Sequence, residues 1–450
     1  MASFVASWID SYWITSRGRR VLAIWGVGPE FRQAEGKPMV GIKQRDLERR
    51  FKMSEVDDGE LQFLLMQFFP SGRYVSAWEL ELGNEAAGLK VVYAKKSGRI
   101  CELVPGVGLT EDLVAKIERE IEEKLGSPAV SKVARLILYA GLPVVGYWRY
   151  RDRIILRQVP AGAPQAPQLW ADHPLVCEIQ FDGANDPWVN MLRSRRESRQ
   201  LALLLTLLVR SLRLPEASSQ GWVLTPTLSA QESDSVASEL RSEYAHFGYI
   251  APSDLGDSDF LSKQGDLSSI ILEPEPYGVS IGSTLTLRED IEGYIDAYFR
   301  LPDGERRKLL RAAYWLNVSK GAFRISRSAS FQSLVQAVEA LTVTPAGQPK
   351  CSECDRTIGI GPTKLFQEFI SKYAPSAGGG DDERMYKMLY EKRSQLTHGN
   401  TLLEVDEEIG LTAPSPNQMA EDELHRKGSA ICRDAILGWL RYHAVQERDD

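Results

Sequence analysis

The chain has 450 residues, of which 43% are hydrophobic and 26% charged, and its formal net charge is −7. That length exceeds one ordinary core, so two or three domains are expected. The acidic balance excludes a chain that is basic throughout, although a local basic patch can still take phosphate. The five cysteines (Cys101, Cys177, Cys351, Cys354, Cys432) are few, odd in number and without a disulfide-like framework. They fit a reducing cytosol, and so a cytoplasmic protein. Met1 to Trp13 contains Asp10 and no basic start, which suits neither a signal nor a transit peptide. The longest apolar run, Leu201 to Val209, is half of the roughly 18 residues a membrane span needs.

Taken in order, the pattern predicts an α+β chain: an N-terminal β-rich mixed α/β region followed by an all-α helical bundle. Composition divides it at 1–160, 161–284 and 285–450, the second segment reading either as separate from the first or as continuous with it. Val21 to Trp25 reads as a buried strand, and Tyr74 to Leu80 as a half-buried one rich in aromatic and β-branched residues. Thr110 caps a helix from Glu111 to Leu125, with Leu113, Ile117, Ile121 and Leu125 as its apolar stripe and Gly126 as its stop. Strands are expected at Arg135 to Tyr139 and Arg153 to Val159. The glycine pairs Gly26/Gly28 and Gly106/Gly108 do not continue into a phosphate-binding loop and read as turn glycines.

Pro160 to Pro167 has linker composition. A strand follows at Leu175 to Phe181. Asn185 or Asp186, with Pro187, then opens a long helix reaching about Leu212. Its second half is apolar enough for a buried core helix. Its first half carries Arg193, Arg195, Arg196 and Arg199, which suit either a solvated face or RNA phosphate. Ser218 to Asp257 is a polar loop region, and Ile270 to Pro276 a strand running into a break.

From Leu285 onward five or so helices are expected. They run from Asp290 to Phe299, from a cap at Asp303 to Val318, from Ser328 or Ser330 to Leu341, around Phe366 to Tyr373, from Glu383 to His398 with Met385, Met388 and Leu389 inward, and from Asn417 past Leu440. Ser376 to Asp382 forms a flexible loop. Cys351 and Cys354 make half of a zinc knuckle, which His425 and Cys432 would complete as a structural zinc site. Two reduced cysteines in a turn is the other reading.

Tyr390 to Asn400 is the stretch that suggests chemistry. Arg393 and His398 lie five positions apart, about 140° around a helix, so one continuous helical face does not hold both. Gly399 is suited to the position after the helix, which leaves His398 at its last turn. Histidine as general acid or base and arginine on phosphate suit RNA cleavage by the RNA's own 2′-hydroxyl, with no metal required. Two copies meeting across an axis would bring such groups together.

Leu389-Tyr390-Glu391-Lys392-Arg393-Ser394-Gln395-Leu396-Thr397-His398-Gly399 resembles the hydrophobic-Tyr-x-x-Arg-Ser-x-hydrophobic-x-His-Gly signature of ApeA-like, abortive-infection HEPN domains. Leu334 to Leu341 resembles that branch's helix ending in Ala-x-Glu-x-Leu, and Arg306 to Asn317 the helix before it. The resemblance covers residues 285–445. It implies a homodimeric endoribonuclease acting as a toxic effector in anti-phage or stress defence. Arg393 and His398 would be catalytic, Glu339 would orient them, and Lys392 and Ser394 would meet RNA; Ser394 stands where many active members carry Asn. It also implies control by the N-terminal region and a possible partner protein of the defence system. A non-catalytic HEPN scaffold binding RNA or a protein partner is the alternative, and a helical interaction protein unrelated to HEPN domains a third.

Overall fold

The computed structural model describes residues 44–51, 56–84, 87–95, 97–126, 130–159, 173–214, 268–273, 283–342, 361–374, 382–399, 401–407 and 414–446. The expected strand at Val21 to Trp25, the turn at Gly26/Gly28, the polar region from Ser218 to Asp257, the loop from Ser376 and both Cys351 and Cys354 lie outside the described residues. The architecture is mixed α+β, with antiparallel sheets in the N-terminal half and a helical C-terminal region. The chain divides into two compact units, Met1–Arg119 and Glu120–Asp450. Among the described residues no helix is long and apolar enough to cross a membrane.

Unit 1 holds helices α1 (Gln44–Arg50) and α2 (Asp58–Phe68), an antiparallel sheet of strands β1 (Ser71–Ser76), β2 (Glu79–Gly83), β3 (Gly88–Tyr93) and β4 (Ile100–Pro105), and the start of α3 (Glu111–Leu125). Asp57 caps α2 by accepting from the Gly59 amide. Alternation puts Leu80, Leu82, Leu89 and Val91 in the core. The expected strand at Tyr74 to Leu80 is instead two strands. The chain turns at Ala77-Trp78, and every residue of β1, an edge strand, is exposed. Gly106 has no room for a side chain, since a Cβ would sit 2.7 Å from the Gly88 carbonyl oxygen, and Gly108 has φ +78°; both are turn glycines. Helix α3 spans the expected residues and Thr110 accepts from the Leu113 amide. Its stripe is Val114, Ile117 and Ile121, with Leu113 and Leu125 only half-buried. The true helical spacing is 3.6, so a strict four-residue repeat drifts off the buried face.

Unit 2 contains a second sheet in the order β6-β7-β8-β5-β9, made of β5 (Val130–Ala140), β6 (Tyr147–Tyr150), β7 (Ile154–Gln158), β8 (His173–Gly183) and β9 (Leu212–Arg213). β5 and β8 pair antiparallel over their full length, from Val130 opposite Gly183 to Ala140 opposite His173. Helix α4 (Pro187–Leu208) follows, with Asp186 accepting from the Trp188 and Val189 amides and Pro187 in the first turn. Leu201 to Leu208 is buried all round, as a uniformly apolar helix must be. β10 (Leu272–Glu273) and β11 (Leu287–Arg288) form a short parallel pair.

The helical region comprises α5 (Ile291–Arg300), α6 (Asp303–Ala322), α7 (Arg327–Glu339), α8 (Pro362–Tyr373), α9 (Asp382–Thr397), α10 (Glu404–Glu407) and α11 (Pro416–Gln446). That is seven helices among the described residues, the four-residue α10 being too short to announce itself by periodicity. One hydrophobic core runs from β5 and α4 through to α11. Arg433 of α11 donates to the Leu207 and Leu208 carbonyls, and Lys320 of α6 to those of Thr206 and Leu212. The carbonyls of Thr206, Leu207 and Leu208 lie in the last turn of α4, which leaves them without helical partners. Two caps differ from expectation. Asp303 lies inside α6, where Pro302 holds the cap position without a side-chain bond. Ser326 caps α7 by accepting from the Ala329 amide, which leaves Ser328 and Ser330 buried within the helix. Met388, expected inward, is 43% exposed; Tyr386, Leu389 and Tyr390 form the buried face of α9.

Candidate active site

Tyr390 and Arg393 are three residues apart on α9 and share a face. Both turn toward Glu339, the last residue of α7. Arg393 Nη2 donates to Glu339 Oε2 at 2.7 Å, and the Tyr390 hydroxyl donates to Glu339 Oε1 at 3.1 Å. The guanidinium carbon lies 5.6 Å from the Tyr390 ring centroid. Side-chain exposure is only 20% for Arg393 and 26% for Glu339, so the pair is shielded from bulk water on most sides. Arg393 Nε is buried and has no acceptor among the described residues. Burial pushes the Tyr390 phenol above its ordinary pKa, and the Glu339 carboxylate beside it acts in the same direction.

α9 ends at Thr397. The Gly399 amide donates to the Leu396 carbonyl and Gly399 takes φ +70°, the left-handed conformation that stops a helix. His398 therefore sits at the helix exit. Its amide donates to the Ser394 carbonyl, and its imidazole is exposed without a hydrogen bond among the described residues. The structure thus brings Arg393 and Glu339 together, and His398 lies exposed just past the end of α9.

The chain beyond Gly399 is fastened back onto the bundle. Leu403 is buried and its amide donates to Ser328 Oγ. Asp406 accepts from Ser326 Oγ and from the Arg327 and Ser328 amides at 2.8, 2.9 and 2.7 Å, so it closes the N-terminus of α7. Glu421 of α11 receives Lys392 Nζ on one oxygen and the Glu404 amide on the other. Lys392 is accordingly half-buried in an ion pair. Ser394 is half-buried beside Arg393.

The arginines of α4 lie on another element and carry contacts of their own. Arg193 donates to the carbonyls of Asp182 and Gly183, and Arg196 lies 3.7 Å from Glu197. Arg195 and Arg199 are exposed. His425 is buried, with Nε2 at 2.8 Å from Ser330 Oγ and its ring against Phe323 and Phe331; burial lowers its pKa to about 4. Cys432 is fully buried as a free thiol. Among the described residues no group of three or more His, Cys, Asp or Glu side chains is placed to hold a metal ion.

Three participants have roles that the sequence reading does not assign. Tyr390 had a usable signal in its i, i+3 relation to Arg393. Asp406 and Glu421 act through tertiary contacts that no local spacing announces. Comparison with family models, with curated proteins and with solved structures finds no match in any of the three.

Proposed function

We propose that the helical end of unit 2 is a HEPN-type endoribonuclease that cleaves RNA by attack of the 2′-hydroxyl on the adjoining phosphorus. The observation that carries this reading is the Glu339-Tyr390 clamp on Arg393 next to an exposed His398 at a glycine-terminated helix. A guanidinium held from behind keeps its orientation; its Nε is buried, so the terminal N–H groups that Glu339 does not take are the ones left for the charge that develops on the phosphorane. An exposed imidazole is free to take the 2′-hydroxyl proton. The 2′-oxygen bonds to phosphorus, the bond to the 5′-oxygen breaks, and that oxygen is protonated by a second imidazole. The products are a 2′,3′-cyclic phosphate and a 5′-hydroxyl. The 140° offset of Arg393 and His398 supports a site completed by a second copy of the chain. A role as a toxic effector in defence, restrained by the N-terminal region, belongs to the same proposal and rests on the motif resemblance.

The test is induced expression of wild type, Arg393→Ala and His398→Ala, with total RNA run on a gel and the cleaved ends analysed. Cleavage with cyclic-phosphate ends in wild type, absent in both variants, is the expected result. Equal cleavage or equal toxicity in the variants rejects it.

A second reading is a non-catalytic scaffold that binds RNA or a protein. It is favoured by the same ion pair, because Glu339 neutralises the charge that a phosphate would need. Labelled RNA incubated with the protein in EDTA separates the two: the scaffold binds without cutting.

A further inference from the structure

A cavity of ≈ 320 Å³ lies in unit 2 where α6, the end of α7, α8 and α11 meet. That volume is at the small end of ligand sites and suits one planar ring system with a short polar extension. Its walls are unusually aromatic. Phe369 and Tyr373 stand 4.8 Å apart between ring centroids, and Trp439 and His443 4.4 Å. The Tyr373 hydroxyl is 3.5 Å from His443 Nε2. Gly438 makes this wall possible: a Cβ there would lie 1.9 Å from the Tyr373 carbonyl oxygen, so α8 and α11 touch backbone to backbone beside the rings.

The polar lining groups are Glu305, Lys308, Thr342, Glu368, Lys372 and His443, with Glu368 3.9 Å from Lys364. Lys308 is neutralised by Glu305 at 2.6 Å. Lys372 is exposed and sits over the Tyr373 and Tyr442 rings, and no carboxylate among the described residues is within ion-pair distance of it. It is therefore a cation held at the rim by ring faces. Burial lowers the pKa of His443, opposed by Glu305 and assisted by Lys372 and Lys308, which favours the neutral imidazole. Thr342 lines the opposite side, and its hydroxyl donates to the carbonyl of Glu339, the residue that holds Arg393.

We propose that this cavity is a subsite for one unstacked base of single-stranded RNA, with the attached phosphate on Lys372. Phe369 and Trp439 are buried, so stacking falls to the half-buried Tyr373, which accepts any base, and a rim cation tracks the backbone. The inference deepens the ribonuclease reading and rests on it for RNA as the ligand class. Its test reads binding on the His398→Ala protein, so that failure of cleavage and failure of the subsite are seen separately.

The probe is a short single-stranded RNA carrying 2-aminopurine, whose emission is quenched on stacking. Saturable quenching is expected. Lys372→Glu, a change at an exposed position, should weaken it about tenfold or more. Leu365→Trp, which fills the cavity, should abolish it, with thermal melting as the check on folding; if that variant does not fold, Lys372→Glu alone decides. Binding without quenching, or wild-type quenching in Lys372→Glu, overturns the assignment. So does competition by adenosine monophosphate as effective as by the strand, which would make the ligand a free nucleotide.

Discussion

Replacing Glu339 should damage unit 2 more than replacing Arg393, although the two are partners in one ion pair. Glu339→Ala removes the acceptor for both Arg393 Nη2 and the Tyr390 hydroxyl. It leaves a guanidinium whose Nε already lacks an acceptor among the described residues with a second unmet donor. A charge-assisted hydrogen bond contributes about 1.5–3 kcal/mol and an unsatisfied buried donor costs about 1–3 kcal/mol. The partial exposure of both side chains lets water repay some of that, so about 2 kcal/mol is expected for Glu339→Ala. Arg393→Ala removes the same ion pair, but it also removes the buried Nε. Glu339 then keeps the Tyr390 hydroxyl and its contact with water. About 1 kcal/mol is expected there.

Calorimetry of the full chain resolves the difference, following the transition that contains unit 2. With an unfolding entropy of about 2.1 cal/mol/K per residue, a unit of this size shifts by about 1.5 °C per kcal/mol, so Glu339→Ala should melt about 3 °C lower and Arg393→Ala about half as much lower. The double variant should cost less than the sum, because the two share one interaction. An Arg393→Ala loss equal to or larger than that of Glu339→Ala would refute the reasoning, since it would mean that the clamp exists for the arginine's own stability. RNA cleavage should fall to background in Arg393→Ala and His398→Ala and, through lost orientation, drop by about tenfold to a hundredfold in Glu339→Ala.

Three further outcomes follow from named contacts. Asp406→Asn should lower stability at neutral pH and flatten its acid dependence. Burial works against the Asp406 carboxylate, but the bonds from Ser328, Ser326 and Arg327 outweigh it and hold its pKa below the ordinary carboxylate value. A depressed carboxylate stabilises above its unfolded pKa of about 3.9 and loses that contribution as pH falls through the folded value. The wild type should therefore lose this increment below about pH 4 and Asp406→Asn should not, as acid titration by circular dichroism will show. Gly438→Ala should cost about 3 kcal/mol, because α8 and α11 must separate to admit the methyl group, and a fall in melting temperature measures it. His398→Ala, exposed and without a hydrogen bond among the described residues, should leave melting within about 1 °C of wild type.

Much of the helical region is legible because burial writes a 3.6-residue period. Leu309, Ala312, Ala313 and Leu316 lie on one face of α6, and Ile431, Ala435, Ile436, Trp439 and Leu440 on one face of α11; all are buried. The strands at β5, β7 and β8 and the cap at Asp186 were legible for the same local reasons. Tyr74 to Leu80 was misread because a hairpin turn at Ala77-Trp78 carries none of the glycine, proline or asparagine that marks tight turns. The continuation of one core from the second sheet into the helices was not legible either. It depends on Arg433 and Lys320 reaching carbonyls of α4 more than a hundred residues away, and such contacts leave no periodic trace.

The same distinction governs the candidate site. Arg393, His398 and Gly399 could be picked out by spacing, but what holds them is α7, whose two ends serve two different tasks. Its C-terminal residue Glu339 grips Arg393, and its N-terminal amides are closed by Asp406 from the segment that follows His398. Glu421 adds a second tie, joining Lys392 beside Arg393 to the Glu404 amide beyond His398. Arg393 and the chain on the far side of His398 are thus referred to the same rigid helices, which limits how far the exposed imidazole can wander from the guanidinium. A loop free of these ties would hold the two residues together only through the five-residue spacing, and that spacing by itself turns them apart.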